Sequence, residues 1–364
     1  FGTGHGGAGE DDIDRPDGLT FTRDGLLLAT DAVNKRIKVF DVVKGKKIGE
    51  FGRGVIRGDV VNIAVADDGR VLITDEKLGI AYPFRSLGGA SFKSEGEPLF
   101  AGEGFRKLGG AAFDSQGRTY LVDAILNEVR RYLRDGSADP SWHFEKARAD
   151  GTCLLQATEG IAIDEPAGIV YVANEEGSTI QLFDYKTGRY RNALIGRGFD
   201  PGSRRPAGRS LFKESVEGLA ILHGYLLAVD EAGGRIHIFD LKEPGVVNQD
   251  LEKLTGRDGK GYIGYLGQGS KLDLDLPKNS GLKKRVKAGK VNMNKYNPPN
   301  YLCSPDAVAA YYEGAGGESY IALADQLNYR VAIYRWSEVA KARGLRGGAK
   351  RHNSTNRLSR TGGE

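Results

Sequence analysis

One pattern recurs six times along the chain: an acidic or small residue, a glycine, an apolar strand, a turn, a second strand ending in Asp or Asn, and a third strand. The clearest copy starts at Asp17-Gly18, turns at Asp24-Gly25, climbs through residues 26–30 to Asp31 and returns over residues 36–41. A unit this small cannot bury both of its faces. Repetition at a period of tens of residues therefore means that neighbouring units stack on one another, as in a solenoid or a propeller.

At 364 residues the chain is long for one compact domain. Radially repeated all-β structures pass that limit because each blade adds its own small core. Glycine accounts for 53 residues, about twice the usual share of roughly 7%, and falls mainly in turns between short apolar runs. Helical periodicity is confined to residues 337–342. These features predict an all-β, six-bladed β-propeller with four-stranded antiparallel blades.

Aligned on the residue before the first strand, the blades begin at Asp17, Val61, Gly109, Glu159, Glu217 and Asp306. Second strands end at Asp31, Asp75, Asp123, Asn174, Asp230 and Asp325, and third strands follow over 36–41, 80–84, 128–132, 179–184, 235–240 and 330–336. Outer strands are expected at 46–52, 97–102, 189–196 and 262–267. Phe1-Gly2 resembles the end of such a strand, so the N-terminal segment is expected to complete the last blade and close the ring, which leaves no open sheet edge.

The anchors are 44, 48, 50 and 58 residues apart, and the last gap is 89. The excess is an insertion at about 267–303 carrying Lys278, Lys283, Lys284, Arg285, Lys287, Lys290 and Lys295. A second basic segment, 341–364, forms a tail after the propeller of residues 1–340. Without the fourteen basic residues of these two segments the net charge of +4 becomes −10, so the propeller body is acidic. The basic segments could meet an acidic protein surface, including the body of a second copy. With only Tyr296 and Tyr301 to stack bases, they argue against nucleic acid.

No run of 18 apolar residues spans a membrane. The sequence opens on Phe1 rather than Met, which raises the expectation of an exported protein, secreted or periplasmic. In an oxidising compartment Cys153 and Cys303 could pair, or remain two unrelated thiols. Five histidines lack metal-ligand spacing, so zinc is not expected.

Asp31-Ala32-Val33-Asn34-Lys35-Arg36 and Asp325-Gln326-Leu327-Asn328-Tyr329-Arg330 resemble NHL repeats, a resemblance that extends over all blades and implies the propeller fold. Blades four to six also resemble the β-propeller phytases, through Thr158-Glu159-Gly160-Ile161, Asn174-Glu175-Glu176, Val216-Glu217-Gly218-Leu219, Ser304-Pro305-Asp306 and Ala324-Asp325-Gln326. Those are six-bladed, calcium-dependent phosphomonoester hydrolases. The resemblance implies calcium as cofactor, a phosphorylated small molecule as substrate, and metal-ligand roles for Asp17, Glu159, Glu175, Glu217, Asp306 and Asp325.

Glu217 is expected to serve in catalysis as well, and Lys77 to contact phosphate, although the early-blade loops otherwise lack the family's phosphate-binding Lys and Arg. Calcium takes six to eight hard oxygen ligands, which carboxylates from several blades can supply. The plainer reading is that each anchor acid caps the turn into its strand. At the level of function the alternative is a non-catalytic, NHL-type interaction or assembly module working through the insertion and tail.

Overall fold

The computed structural model describes residues 1–148, 151, 153–196, 212–213, 215–242, 262–269, 301–312 and 317–345. The protein is a six-bladed β-propeller. Its innermost strands are Leu19–Phe21, Val60–Val65, Leu108–Phe113, Thr158–Asp164, Val216–Leu222 and Pro305–Tyr311. Each packs against the next and the last against the first, which closes the ring.

Within a blade the strands follow in chain order and pair antiparallel. Blade one, for example, runs Leu19–Phe21, Leu26–Asp31, Arg36–Asp41 and Lys46–Phe51. Blades one, two, four and five have four strands; among the described residues blades three and six have three. The outer strand of blade two is Phe92–Ser94 rather than 97–102, where only Leu99 bridges to Ala81. Ser94-Glu95-Gly96 brings the chain back over Pro83, whose carbonyl accepts from the Glu95 N–H, and so takes up the pairing positions first.

The ring closes where the sequence predicts. Phe1 exchanges two backbone hydrogen bonds of 2.8 Å with Val331 of blade six. Its ring stacks on Phe40 of blade one, centroid to centroid 4.3 Å. The following residues lie over blade one, where the buried Arg36 and Lys38 donate to the carbonyls of Gly9 and Glu10. At the other end, the helix Trp336–Arg343 buries Trp336, Val339 and Ala340 against blades five and six. No described helix is long and apolar enough to cross a membrane.

The core lies between blades. Leu28, Ile37 and Val39 of blade one meet Ile63, Val71 and Ile73 of blade two, and Ala307 and Ala322 of blade six meet Leu27 and Phe40 of blade one. At the channel wall the packing is backbone on backbone. A Cβ on Gly18 would lie 2.7 Å from the Val61 carbonyl oxygen, and one on Gly218 would lie 2.8 Å from the Ala307 Cα. On Gly110 and Gly160 it would run into the carbonyls of Glu159 and Glu217. The glycine that follows four of the six anchors is thus fixed by the approach of the next blade, while the acid before it in blades one, four and five is not.

The strand-end acids are mostly internal. Asp31 accepts from the Asp14 N–H, Asn34 and Arg36 at 2.9, 2.7 and 2.5 Å. Asp123 accepts from the N–H groups of Arg106, Ile125 and Leu126 at 2.6, 3.0 and 2.9 Å. Each one pins the loop entering its blade as well as its own turn, which accounts for the NHL-like spacing.

Cys153 is exposed and Cys303 buried, and the two are not joined in a disulfide. The basic insertion, apart from its two ends, and the tail beyond residue 345 lie outside the described residues.

Gly160→Ala should destabilise the fold by at least the ~1–3 kcal/mol of an overpacked site, read as a fall in the urea midpoint. Ala307→Gly, at the matching position of blade six, should cost less, within the ~0.5–1 kcal/mol of a strand glycine. Equal effects would remove the blade-contact explanation.

Candidate functional site: an acidic channel mouth

Five innermost strands carry a register shift at the anchor: Val60/Asn62 in blade two, opposite Leu121/Asp123 in blade three, Thr158/Ile161, Val216/Leu219 and Pro305/Val308. A bulge adds an unpaired residue and re-aims its side chain. In blade one the Thr30 hydroxyl does the equivalent work, accepting from the N–H groups of Asp17 and Gly18 at 2.9 Å each. Two residues before the anchor, Arg15, Ala157 and Ser304 hold φ of 55°, 50° and 54°, left-handed geometry that costs non-glycine residues energy. Bulge and left-handed turn together aim the anchors into the channel.

The anchors line a cavity of about 490 Å³ at one mouth. Among the described residues seven carboxylates line it, Asp17, Glu76, Glu159, Glu175, Glu217, Glu231 and Asp306, and two cations, Arg15 and Lys107. A second space of about 260 Å³ shares Asn62, Gly160, Gly218 and Ala307 with the mouth, and Phe21, Ile161 and Leu219 are among its lining residues.

The two cations are engaged. Arg15 binds Asp17 at 3.2 Å and Asp59 at 2.5 Å. Lys107 contacts Glu159 and lies 3.4 Å from Glu76. Gln326 bridges the first and last blades, donating to Asp17 at 2.8 Å and to Asp306 at 3.0 Å. Glu217 is only 8% exposed and accepts no hydrogen bond from any described residue. None of the four anchor carboxylates accepts a described backbone N–H from its own turn, so turn capping does not explain them.

Burial first, and neighbouring like charges after it, raise the pKa values of Asp17, Glu159, Glu175, Glu217 and Asp306. Burial lifts Asp17 to about 6 despite Arg15. Burial, and then Glu159, lift Glu175 to about 7. Glu217 is held well above the carboxylate range by burial and by Asp306, and Asp306 by burial and by Asp17. Burial also raises Glu159, with Lys107 opposing. Burial alone would lower Lys107, but Glu159, Glu76 and Glu175 outweigh it and its pKa rises.

Of the residues singled out from sequence, Asp17, Glu159, Glu175, Glu217 and Asp306 come together here. Asp325 and Lys77 do not line the cavity. Asp325 is buried under the Cys303 N–H, Asn328 and Arg330 at 2.7, 2.7 and 2.8 Å, like the other strand-end acids. Lys77 is exposed and pairs with Asp59 at 2.7 Å.

Sequence reasoning missed Lys107, Arg15, Glu76, Glu231 and Gln326. A signal existed. Arg15 and Lys107 stand two residues before their anchors, and Glu76, Glu175, Glu231 and Gln326 each follow a strand-end Asp or Asn. The mouth is lined from three kinds of position, of which each blade uses two.

No protein-family model matches the chain, and no curated protein matches it. Solved structures share its fold. It is similar to a Bacteroides thetaiotaomicron protein of unknown function, with 14% identity and a TM-score of 0.54 over 92% of this chain and 73% of that one. Streptogramin B lyase follows, with 13% identity and a TM-score of 0.48 over 89% and 84%. The Kuenenia stuttgartiensis hydrazine synthase has 12% identity and a TM-score of 0.47 over 91% and 98%. At these identities the likeness is one of fold.

A carboxyl whose pKa is higher in the folded than in the unfolded chain stabilises the fold below its unfolded value, near 4, and that contribution is lost as pH rises through the folded value. Elsewhere the sign is opposite. Hydrogen bonds from Arg53 and Lys47 overcome desolvation and pull Glu50 down to about 2, so its contribution disappears as pH falls below the unfolded value. In buffer freed of divalent cations the melting temperature should peak near pH 5 and fall toward pH 7.5. Glu217→Gln should flatten that fall, and a wild-type profile that rises across the range would contradict the crowding.

Proposed function

We propose that the protein acts through its acidic channel mouth as a cation-dependent ligand site, and that its reaction is calcium-dependent hydrolysis of a phosphomonoester. The observation that carries this reading is the charge imbalance: among the described residues, seven carboxylates and two cations line one cavity. Like charges about 5 Å apart repel by roughly 3 kcal/mol at an effective dielectric of 20. The mouth is therefore fully ionised only with a further positive charge in it. Protons supply that charge below neutral pH, and a metal ion supplies it above.

The donor chemistry fits a hard divalent cation. The described lining supplies chiefly carboxylate oxygens, and Glu217 is buried, lines the cavity and accepts no hydrogen bond from a described residue. Among the described residues no three acidic, His or Cys side chains stand close enough to form a metal shell as they are. Ligation by Glu175, Glu217 and Asp306 would therefore draw these carboxylates inward. When bound, calcium supplies the positive charge that neutralises the mouth and attracts a phosphate.

The chain's own residues would do the rest. Glu217, whose carboxyl burial and Asp306 hold well above the ordinary range, would release its proton on taking the cation, and Asp17 and Glu159 are held in place by Arg15 and Lys107. Lys77, exposed and outside the cavity lining, would leave its pair with Asp59 to contact a phosphate. The alternative, an interaction module acting through the basic insertion and tail, rests on residues outside those described.

Calcium added to the chelated protein should raise its melting temperature, by the equivalent of about 2.7 kcal/mol at a hundredfold excess over Kd. It should also start phosphate release from an inositol phosphate, and Glu217→Gln should lose both effects. Neither a thermal shift nor turnover in the wild type would sink the reading; a shift without turnover would reduce it to cation binding.

A further inference from the structure

Blade three departs from its neighbours in a coordinated way. Its anchor is Gly109, without a side chain, and a Cβ there would lie 2.6 Å from Oε2 of Glu159. Two residues earlier stands Lys107, whose ammonium contacts Oε1 of that same carboxylate and lies 3.4 Å from Glu76 of blade two. The backbone beneath it is fixed, because the N–H groups of Arg106 and Lys107 donate to the buried Asp123 at 2.6 and 3.4 Å. The missing anchor side chain makes the room that the Lys107–Glu159 pair occupies.

We infer that Lys107 is a tethered counter-ion that divides the mouth, neutralising Glu159 and Glu76 on the side of blades two to four and thereby setting how tightly Glu175, Glu217, Glu231 and Asp306 hold a divalent cation. This rests on the cation-binding reading given above and deepens it. Arg15 does the same for Asp17 and Asp59. Among the described residues the mouth carboxylates left without a cationic partner are Glu175, Glu217, Glu231 and Asp306, and the cation belongs there. Lys107 weakens its binding in two ways, by repulsion across the cavity and by withholding Glu159 from ligation. It is a specificity-determining residue in this sense, since a weaker field favours a divalent over a monovalent ion less strongly.

The test is calorimetric titration of calcium into the chelated full-length chain. Lys107→Gln should bind calcium at least tenfold more tightly than wild type, and Lys107→Arg, which keeps the charge, should stay within about threefold. Lys107→Met, which keeps the apolar stem, replaces the Gln variant if circular dichroism shows that variant unfolded. Wild-type binding with unchanged affinity in the neutral variants overturns the role of Lys107 and leaves the cation site standing. Absence of calcium binding in every variant overturns both.

Discussion

The structure depends on how closely the innermost strands approach one another around the channel. At Gly18, Gly110, Gly160 and Gly218 one blade's backbone lies against the next blade's anchor, with no space for even a methyl group. That distance keeps the wall thin and the ring tight. It also brings anchor side chains from different blades around a single cavity, where side chains in a looser ring would be separated by solvent. The acid–glycine pair therefore combines two independent requirements, a steric one on the glycine and an electrostatic one on the acid.

Gathering carboxylates costs energy, and the fold answers it unevenly. Blades one to three place cations at the mouth or beside it: Arg15 with Asp17 and Asp59, Lys77 with Asp59, and Lys107 with Glu159 and Glu76. Blades four to six bring Glu175, Glu217, Glu231 and Asp306, with neutral donors such as Gln326 on Asp306 and Ser304 on Glu231. One half of the mouth is compensated internally and the other is left negative. A ring of equivalent blades would have spread that charge evenly and left no preferred place for a ligand.

Much of this was legible in the sequence, for physical reasons. Strands of period two bounded by Asp-Gly turns give the blades almost to the residue, and the helix at Trp336–Arg343 follows from its periodicity. The anchor acids stood out because they recur in register. Lys107 did not, since a lysine before a strand is ordinary and its meaning comes from Glu159, 52 residues later in a neighbouring blade. Asp325 and Asp31 share a local motif whose buried hydrogen bonds make both structural. The motif could not separate them from Glu175, which is just past a strand end and so faces the cavity. Position relative to the strand end by a single residue decides between an internal staple and a mouth-lining acid.

The bridge made by Gln326 joins residues at opposite ends of the chain: it holds Asp306 of its own blade and Asp17 of blade one, 309 positions away. The acid-bearing blades four, five, six and one are contiguous only because the ring is circular. In a growing or partly folded chain the first and last of them are far apart, and the cavity has no wall between them. The wall between Asp306 and Asp17 exists only in the closed ring, so Gln326 is a polar clasp on closure, while the carboxylates of blades four to six are neighbours along the chain and do not depend on it.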